Sequence, residues 1–216
     1  MKVAPSILTA DFLHLEKELK AIDKDSDYIH LDIMDGTLVP NISFGFPVIE
    51  AVAKAVSKPM DAHLMVVNPD KWFEKLASLG VQMVSFHLEA SGRKTAENLQ
   101  KAQKLGMKAG IAINPDVPVE KLYRYIGKAD FFLIMSVFAG FGGQKFIPES
   151  IDRIAMLRER LVSESDPALI EVDGGVGTSN IKELYQAGAS MFVAGSAVFK
   201  GGDPAAAIQS LREAAL

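Results

Sequence analysis

Eight short runs rich in β-branched and aromatic residues recur along the chain with helical patterns between them, and this repeat constrains the fold more than any other feature. The runs are KVAPSIL, YIHLDIM, PMDAHLMV, MVSFHLE, KAGIAIN, FFLIMSV, LIEVDGG and SMFVAGSAV. With Ser6, Asp32, His63, His87, Ala112, Met135, Asp173 and Gly195 as markers, the steps between them are 26, 31, 24, 25, 23, 38 and 22 residues. A parallel strand pair needs a crossover of a dozen or more residues, so each step holds one strand and one crossover helix. Within IDRIAMLRERL, residues Ile151, Ile154, Leu157 and Leu161 recur at three- and four-residue intervals, the apolar stripe of a helix. Gly80, Gly106 and Gly188 each stand a few residues before a strand, where a left-handed cap ends a helix. The pattern predicts an α/β chain folded as a (β/α)8 TIM barrel, a single domain spanning residues 1–216, with an open doubly wound sheet as the structural alternative. The longest step begins with AGFGGQKFIPES and is the expected place for a functional loop.

Composition narrows the function. At 216 residues and 49% hydrophobic content, the chain can bury the core of one such domain. A net charge of −4 argues against nucleic acid or an anionic membrane as partner, so any anion site must be a local pocket. Zero cysteines exclude disulfides and thiolate ligands, leaving His and carboxylate as metal donors. The opening MKVAPSILTADF has no long apolar stretch, and FFLIMSVFAGFGG falls short of the roughly 20 residues of a membrane-spanning helix, so a cytoplasmic location is expected.

The second run, YIHLDIM, places charge inside an apparent core strand. Side chains alternate across a strand, so Ile29, Leu31 and Ile33 share one face while His30, Asp32 and Met34 share the other. A buried carboxylate and imidazole cost several kcal/mol unless paired, hydrogen-bonded or bound to metal. DAHLM repeats the design with Asp61, His63 and Met65 on one parity, and EVDGG puts Asp173 just before two glycines. In a barrel, His30, Asp32, His63 and Asp173 would gather at the carboxyl ends of strands two, three and seven, where barrel active sites form. Two imidazoles and two carboxylates suit zinc, manganese or ferrous iron. GFGG (Gly140 to Gly143), Gly174-Gly175 and Gly195-Ser196 follow strands six, seven and eight, and their backbone N–H groups could approach a phosphate closely.

In order and over essentially the whole chain, APSILTADF, HLDIMDGTLVPN, DAHLMV, INPDVP, GFGGQKFIP, EVDGGV and FVAGSAVF resemble the ribulose-phosphate 3-epimerase family. The resemblance implies a (β/α)8 barrel of the pentose phosphate pathway that interconverts D-ribulose 5-phosphate and D-xylulose 5-phosphate through a metal-bound enediolate. It implies His30, Asp32, His63 and Asp173 as ligands of one divalent ion, zinc first and manganese, iron(II) or cobalt as alternatives. Asp32 and Asp173 would form the acid/base pair. Ser6, His63, Gly140, Phe141, Gly142, Gly143, Gly174, Gly175, Gly195 and Ser196 would contact the ketose phosphate. Met34, Met65 and Met135 would line the reacting plane, and the chain would form a homo-oligomer. Two departures stand out: Phe138-Ala139 replaces an Asn-Pro-like pair before the glycine loop, which removes a backbone restraint, and SGRKTAENL lacks a further histidine. A D-allulose 6-phosphate or related ketohexose-phosphate 3-epimerase is the nearest rival, and a non-catalytic sugar-phosphate or metal-binding protein is the alternative of another class. His87 and Glu89 read as a neighbouring polar layer, Lys108 lies at the wrong barrel end for an imine, His14 belongs to an amphipathic helix, and Trp72 packs a helix against the barrel.

Overall fold

The computed structural model describes residues 1–216. Its eight strands are β1 (Lys2–Pro5), β2 (Ile29–Met34), β3 (Met60–Met65), β4 (Val81–His87), β5 (Lys108–Ile113), β6 (Phe131–Met135), β7 (Leu169–Asp173) and β8 (Met191–Ala194). All neighbours pair in parallel, in the spatial order β1-β8-β7-β6-β5-β4-β3-β2. A single bridge between Ser6 and His30 joins the two ends and completes the ring. The chain is a TIM barrel, and the open-sheet alternative is excluded by that closure.

Helices α1 (Leu15–Asp23), α2 (Phe46–Ala55), α3 (Phe73–Ser78), α4 (Leu88–Ser91), α5 (Thr95–Lys104), α6 (Ser150–Ser163), α7 (Ile181–Ala187), α8 (Ser196–Phe199) and α9 (Pro204–Ala214) surround the ring. Between β5 and β6 the crossover is a 3-10 segment, Val119–Tyr125. In α6 the apolar stripe behaves as its spacing requires: Ile154, Leu157 and Leu161 are buried and Ile151 packs at the margin. Each of those three burials contributes roughly 1.5–3 kcal/mol. Gly188 closes α7 at φ 115°, where an added Cβ would lie 2.4 Å from Arg158 Cγ, so both the backbone and the neighbouring helix demand glycine. His14 differs from expectation. It ends a 3-10 turn, Phe12–His14, and bonds Asp11 at 2.8 Å, because the Asp11 carboxylate caps that turn before α1 begins. Trp72 rests against Phe46 of α2 at a ring separation of 5.3 Å.

Strand alternation sorts the interior into two environments. Ile29, Leu31, Ile33, Ala62, Leu64, Phe132, Ile134, Ile170 and Val172 face outward into the large core shared with the helices. Inside the ring, Ala4, Met83, Phe131, Met191 and Val193 form one apolar plug and Ala112, Leu133, Met135 and Val137 another. Gly110 makes the first plug possible. It pairs with Phe131 across β5 and β6, and an added Cβ would lie 2.5 Å from the phenyl ring. Gly110→Ala should therefore destabilise the barrel by about 1–3 kcal/mol. Urea denaturation checks this, and an unchanged midpoint would contradict the packing.

Candidate active and metal site

The register of β2 against β3 sets the site: Asp32 lies beside His63, and one layer below, His30 lies beside Asp61. On the other side of the mouth Asp173 ends β7, with Glu171 two residues earlier on the same inward face. His30 Nε2 stands 3.4 Å from Asp32 Oδ1 and 4.0 Å from Asp173 Oδ2, and His63 Nδ1 stands 3.2 and 3.6 Å from the same two oxygens. The four ligand atoms lie within 4.8 Å of one another. All four expected ligands thus converge from strands two, three and seven.

The residues fit a divalent cation. Adjacent donors around a tetrahedral zinc are about 3.4 Å apart, given bonds of about 2.1 Å. His30 Nδ1 approaches Asp61 Oδ2 at 2.7 Å, which holds its proton on that side, and the opposite atom, His30 Nε2, is buried without a hydrogen-bond partner. A lone pair left unpaired at full burial, aimed at two carboxylates, is what a metal ligand requires and what a structural histidine avoids.

Electrostatics point the same way. Burial opposes ionisation of Asp32, but the charges and hydrogen bonds of His30 and His63 outweigh it and hold the carboxyl well below the usual range. Burial likewise disfavours imidazolium at His30, yet Asp32 and Asp61 raise it well above its ordinary value, and Asp173 and Asp32 do the same at His63 against its own burial. The cluster attracts positive charge, which a cation can supply in place of protons.

Two buried carboxyls that sequence reasoning left unassigned support this layer. Burial, then the charge of Asp61, pushes Glu171 well above the usual carboxyl range, so a neutral Glu171 faces Asp61. Their signal was present: Asp61 and Glu171 each stand two residues before a proposed ligand, on its parity. His87 Nε2 lies 2.9 Å from His63 Nε2, and burial, followed by the opposing influence of Glu89 and the proximity of His63, lowers its basicity. Glu89 remains below the usual range because bonds from His87 and Asn114 overcome its burial.

A cleft opens above the cluster. Asp32 and Asp173 reach its wall, while His30 and His63 lie fully buried beneath. Ser6, Met34, Met65, Met135, Gly140, Phe141, Gly142, Gly143, Gly174, Gly175, Gly195 and Ser196 line it. Ser6 Oγ donates to Asp32 Oδ2 at 2.5 Å, so this hydroxyl orients a carboxylate. Gly175, at φ 61°, admits the loop after β6, since an added Cβ would lie 2.8 Å from Phe146 N. Thr9 is a lining residue that sequence reasoning missed: its side chain occupies the space a Cβ would need at both Gly142 and Gly195. Phe138 is half exposed at the mouth. The restraint a proline would give is supplied here by side chains: Asn114 Oδ1 accepts from Ala139 N–H at 2.9 Å, and Asn41 Nδ2 donates to Gly140 O at 2.7 Å.

Residues 2–199 match the model of the ribulose-phosphate 3 epimerase family. The chain belongs to that family. It is 41% identical over 215 residues to the ribulose-phosphate 3-epimerase of Mycobacterium bovis, covering 99% of this chain and 92% of that one. It is 42% identical over 212 residues to the enzyme of the same name from Synechocystis, covering 97% and 92%. Among solved structures, 3-hexulose-6-phosphate synthase shares the fold at a TM-score of 0.77 and 21% identity over the full length of both chains. The glycine-lined cleft opens directly over the His/Asp cluster. No helix is long and apolar enough to cross a membrane.

Two measurements test this layer. Calorimetric titration with zinc or manganese should give one ion per chain, and His30→Ala should weaken binding by roughly 100-fold; unchanged affinity would exclude His30 as a ligand. In metal-free protein, Glu171 binds a proton in the folded state that the unfolded chain has lost near neutrality, so its stabilising influence is complete below its ordinary value of 4.5 and is lost as pH rises toward the raised folded value. Glu171→Gln removes that loss. Urea denaturation should show the variant gaining stability on the parent at about pH 7 relative to about pH 4; a difference independent of pH would contradict a raised Glu171.

Proposed function

We propose that the chain interconverts D-ribulose 5-phosphate and D-xylulose 5-phosphate by proton transfer at C3, with Asp32 and Asp173 as the acid/base pair and His30, Asp32, His63 and Asp173 holding one divalent cation, zinc first. The observation that carries this reading is the meeting of two carboxylates and two imidazoles beneath a glycine-lined cleft, in a chain of this family.

Inverting C3 of a 2-ketose requires removing the proton alpha to the carbonyl from one face and returning a proton to the other. One carboxylate serves one face, so two are needed. Asp32 is held as the anion by its two histidines and by the Ser6 hydroxyl, so it is open to accept the C3 proton in the ribulose direction, and the weaker base these partners make of it would be offset by the acidity a bound cation lends the C3–H bond. Asp173, three strands away around the ring with β1 and β8 between, delivers its carboxyl proton to the opposite face of the enediolate. In the reverse direction the two exchange roles. What a divalent cation supplies when bound there is Lewis-acid stabilisation of the charge that develops on the ketose oxygens, on the order of several kcal/mol.

The remaining wall residues position and shield. Met34, Met65 and Met135, each almost fully buried, offer polarizable thioether surface that carries no exchangeable proton and keeps water from the reacting carbon. Backbone N–H groups around Gly142, Gly143, Gly174, Gly175, Gly195 and Ser196 receive the phosphate, because side chains at these glycines would block close approach. Distance between phosphate and carboxylates then sets the chain length of the ketose.

Metal-loaded protein incubated with D-ribulose 5-phosphate in deuterium oxide should form D-xylulose 5-phosphate carrying deuterium at C3, followed by NMR. Absence of both product and exchange, with metal content verified, would refute the proposal. Asp173→Asn should lower kcat by roughly 100- to 10,000-fold while the thermal unfolding curve keeps its cooperativity; full activity in this variant would exclude its role in proton transfer.

A further inference from the structure

His63 reaches the cation site through Nδ1, and its other nitrogen starts a chain of polar groups that leaves the site altogether. Offering the Nδ1 lone pair to a cation requires the proton on Nε2. That proton points at His87 Nε2, 2.9 Å away, which must therefore be the acceptor. The His87 proton then sits on Nδ1, in charge contact with Glu89 Oε1 at 3.5 Å and with the Asn114 amide nitrogen packed against it at the same distance. Glu89 Oε1 is held in turn by Asn114, whose backbone N–H donates at 3.0 Å and whose Nδ2 donates at 3.1 Å. Asn114 has one side-chain acceptor left, Oδ1, and it takes the backbone N–H of Ala139 at 2.9 Å, one residue before Gly140 of the glycine loop.

We propose that Asn114 is a positioning residue that couples the glycine loop after β6 to the metal ligand His63, acting through Glu89 and His87. The inference rests on the proposed cation site but not on the identity of the ketose. Every polar group of Asn114 is committed to this junction, since its carbonyl also accepts from Arg153 Nη2 at 2.9 Å, and Arg153 anchors the end of β6 through Met135 O. A displaced loop pulls Ala139 from Oδ1, frees the amide, and loosens the two bonds that aim Glu89 at His87. His63 then loses its fixed tautomer and orientation, and cation affinity falls. By reciprocity, an ordered His63 favours the loop position that presents Gly140 to Gly143 to the cleft.

The test needs no substrate. Cobalt(II) titration of metal-free protein, followed by visible absorption and calorimetry, reports the His63 environment directly. Glu89→Gln and Asn114→Ala should each weaken cobalt binding by about tenfold. The decisive variant is Ala139→Pro, which puts back the proline of the Asn-Pro-like pair: it deletes the N–H that Asn114 accepts while the ring itself keeps the loop restrained, so a loss of cobalt affinity reads the uncoupled Asn114 amide and not a displaced loop. It should weaken cobalt by about tenfold, whereas Ala139→Gly, which keeps the donor, should bind like the parent. In a double-variant cycle, Ala139→Pro should add nothing once Asn114 is alanine. Thermal unfolding of each variant verifies the fold. Unchanged cobalt affinity in Ala139→Pro, equal losses in the proline and glycine variants, or additive losses in the cycle would each overturn the coupling. Cobalt results as expected with no epimerisation by the parent would preserve the coupling and refute the ketose assignment instead.

Discussion

Everything about this site depends on placing ionisable groups inside a closed ring of strands from which water is excluded. The barrel interior cannot leave His30, Asp32, His63 and Asp173 uncompensated, because each charge there would cost several kcal/mol. Their mutual distances of 3.2 to 4.0 Å show how the cost is met: imidazoles face carboxylates, in a cluster that fits a shared cation able to complete the neutralisation. The same burial makes the cluster useful. Low local dielectric strengthens interactions with charge developing on a substrate, and of the four only Asp32 and Asp173, the proposed acid/base pair, reach the cleft.

The supporting layer is built on one rule applied twice. His30 presents Nε2 and anchors Nδ1 on Asp61, while His63 presents Nδ1 and anchors Nε2 on His87. The ligand nitrogens differ because the anchors come from different directions: Asp61 lies one layer deeper on the neighbouring strand, and His87 lies beside His63 on β4. The deeper anchor ends in buried Glu171, whereas the lateral one continues to the surface through Glu89 and Asn114. Only the second arm meets the glycine loop between β6 and α6.

Much of this was legible in residue order. The eight strand-and-helix steps pointed to a barrel and left an open doubly wound sheet as the alternative, and the bridge between Ser6 and His30 decided between them. Alternation marked His30, Asp32, His63 and Asp173 as inward residues at strand ends, and Asp61 and Glu171 carried the same mark one layer down without being assigned. Thr9 and Asn114 carried no such mark. Threonine after a strand and asparagine before a proline are ordinary turn residues, and their importance comes from the loops that cross them.

The chain's sequence determined which residues share a face, because the two-residue period of a strand and the 3.6-residue period of a helix are local properties of the backbone. It also determined the family and hence the chemistry to look for. Tertiary structure alone decided which faces meet: that β2 closes on β1 at Ser6 and His30, that His87 bonds His63 edge to edge instead of facing the cleft, and that Ala139 donates to Asn114 25 residues away. These depend on barrel register and loop path, quantities set by packing the whole ring at once, and no local period encodes them.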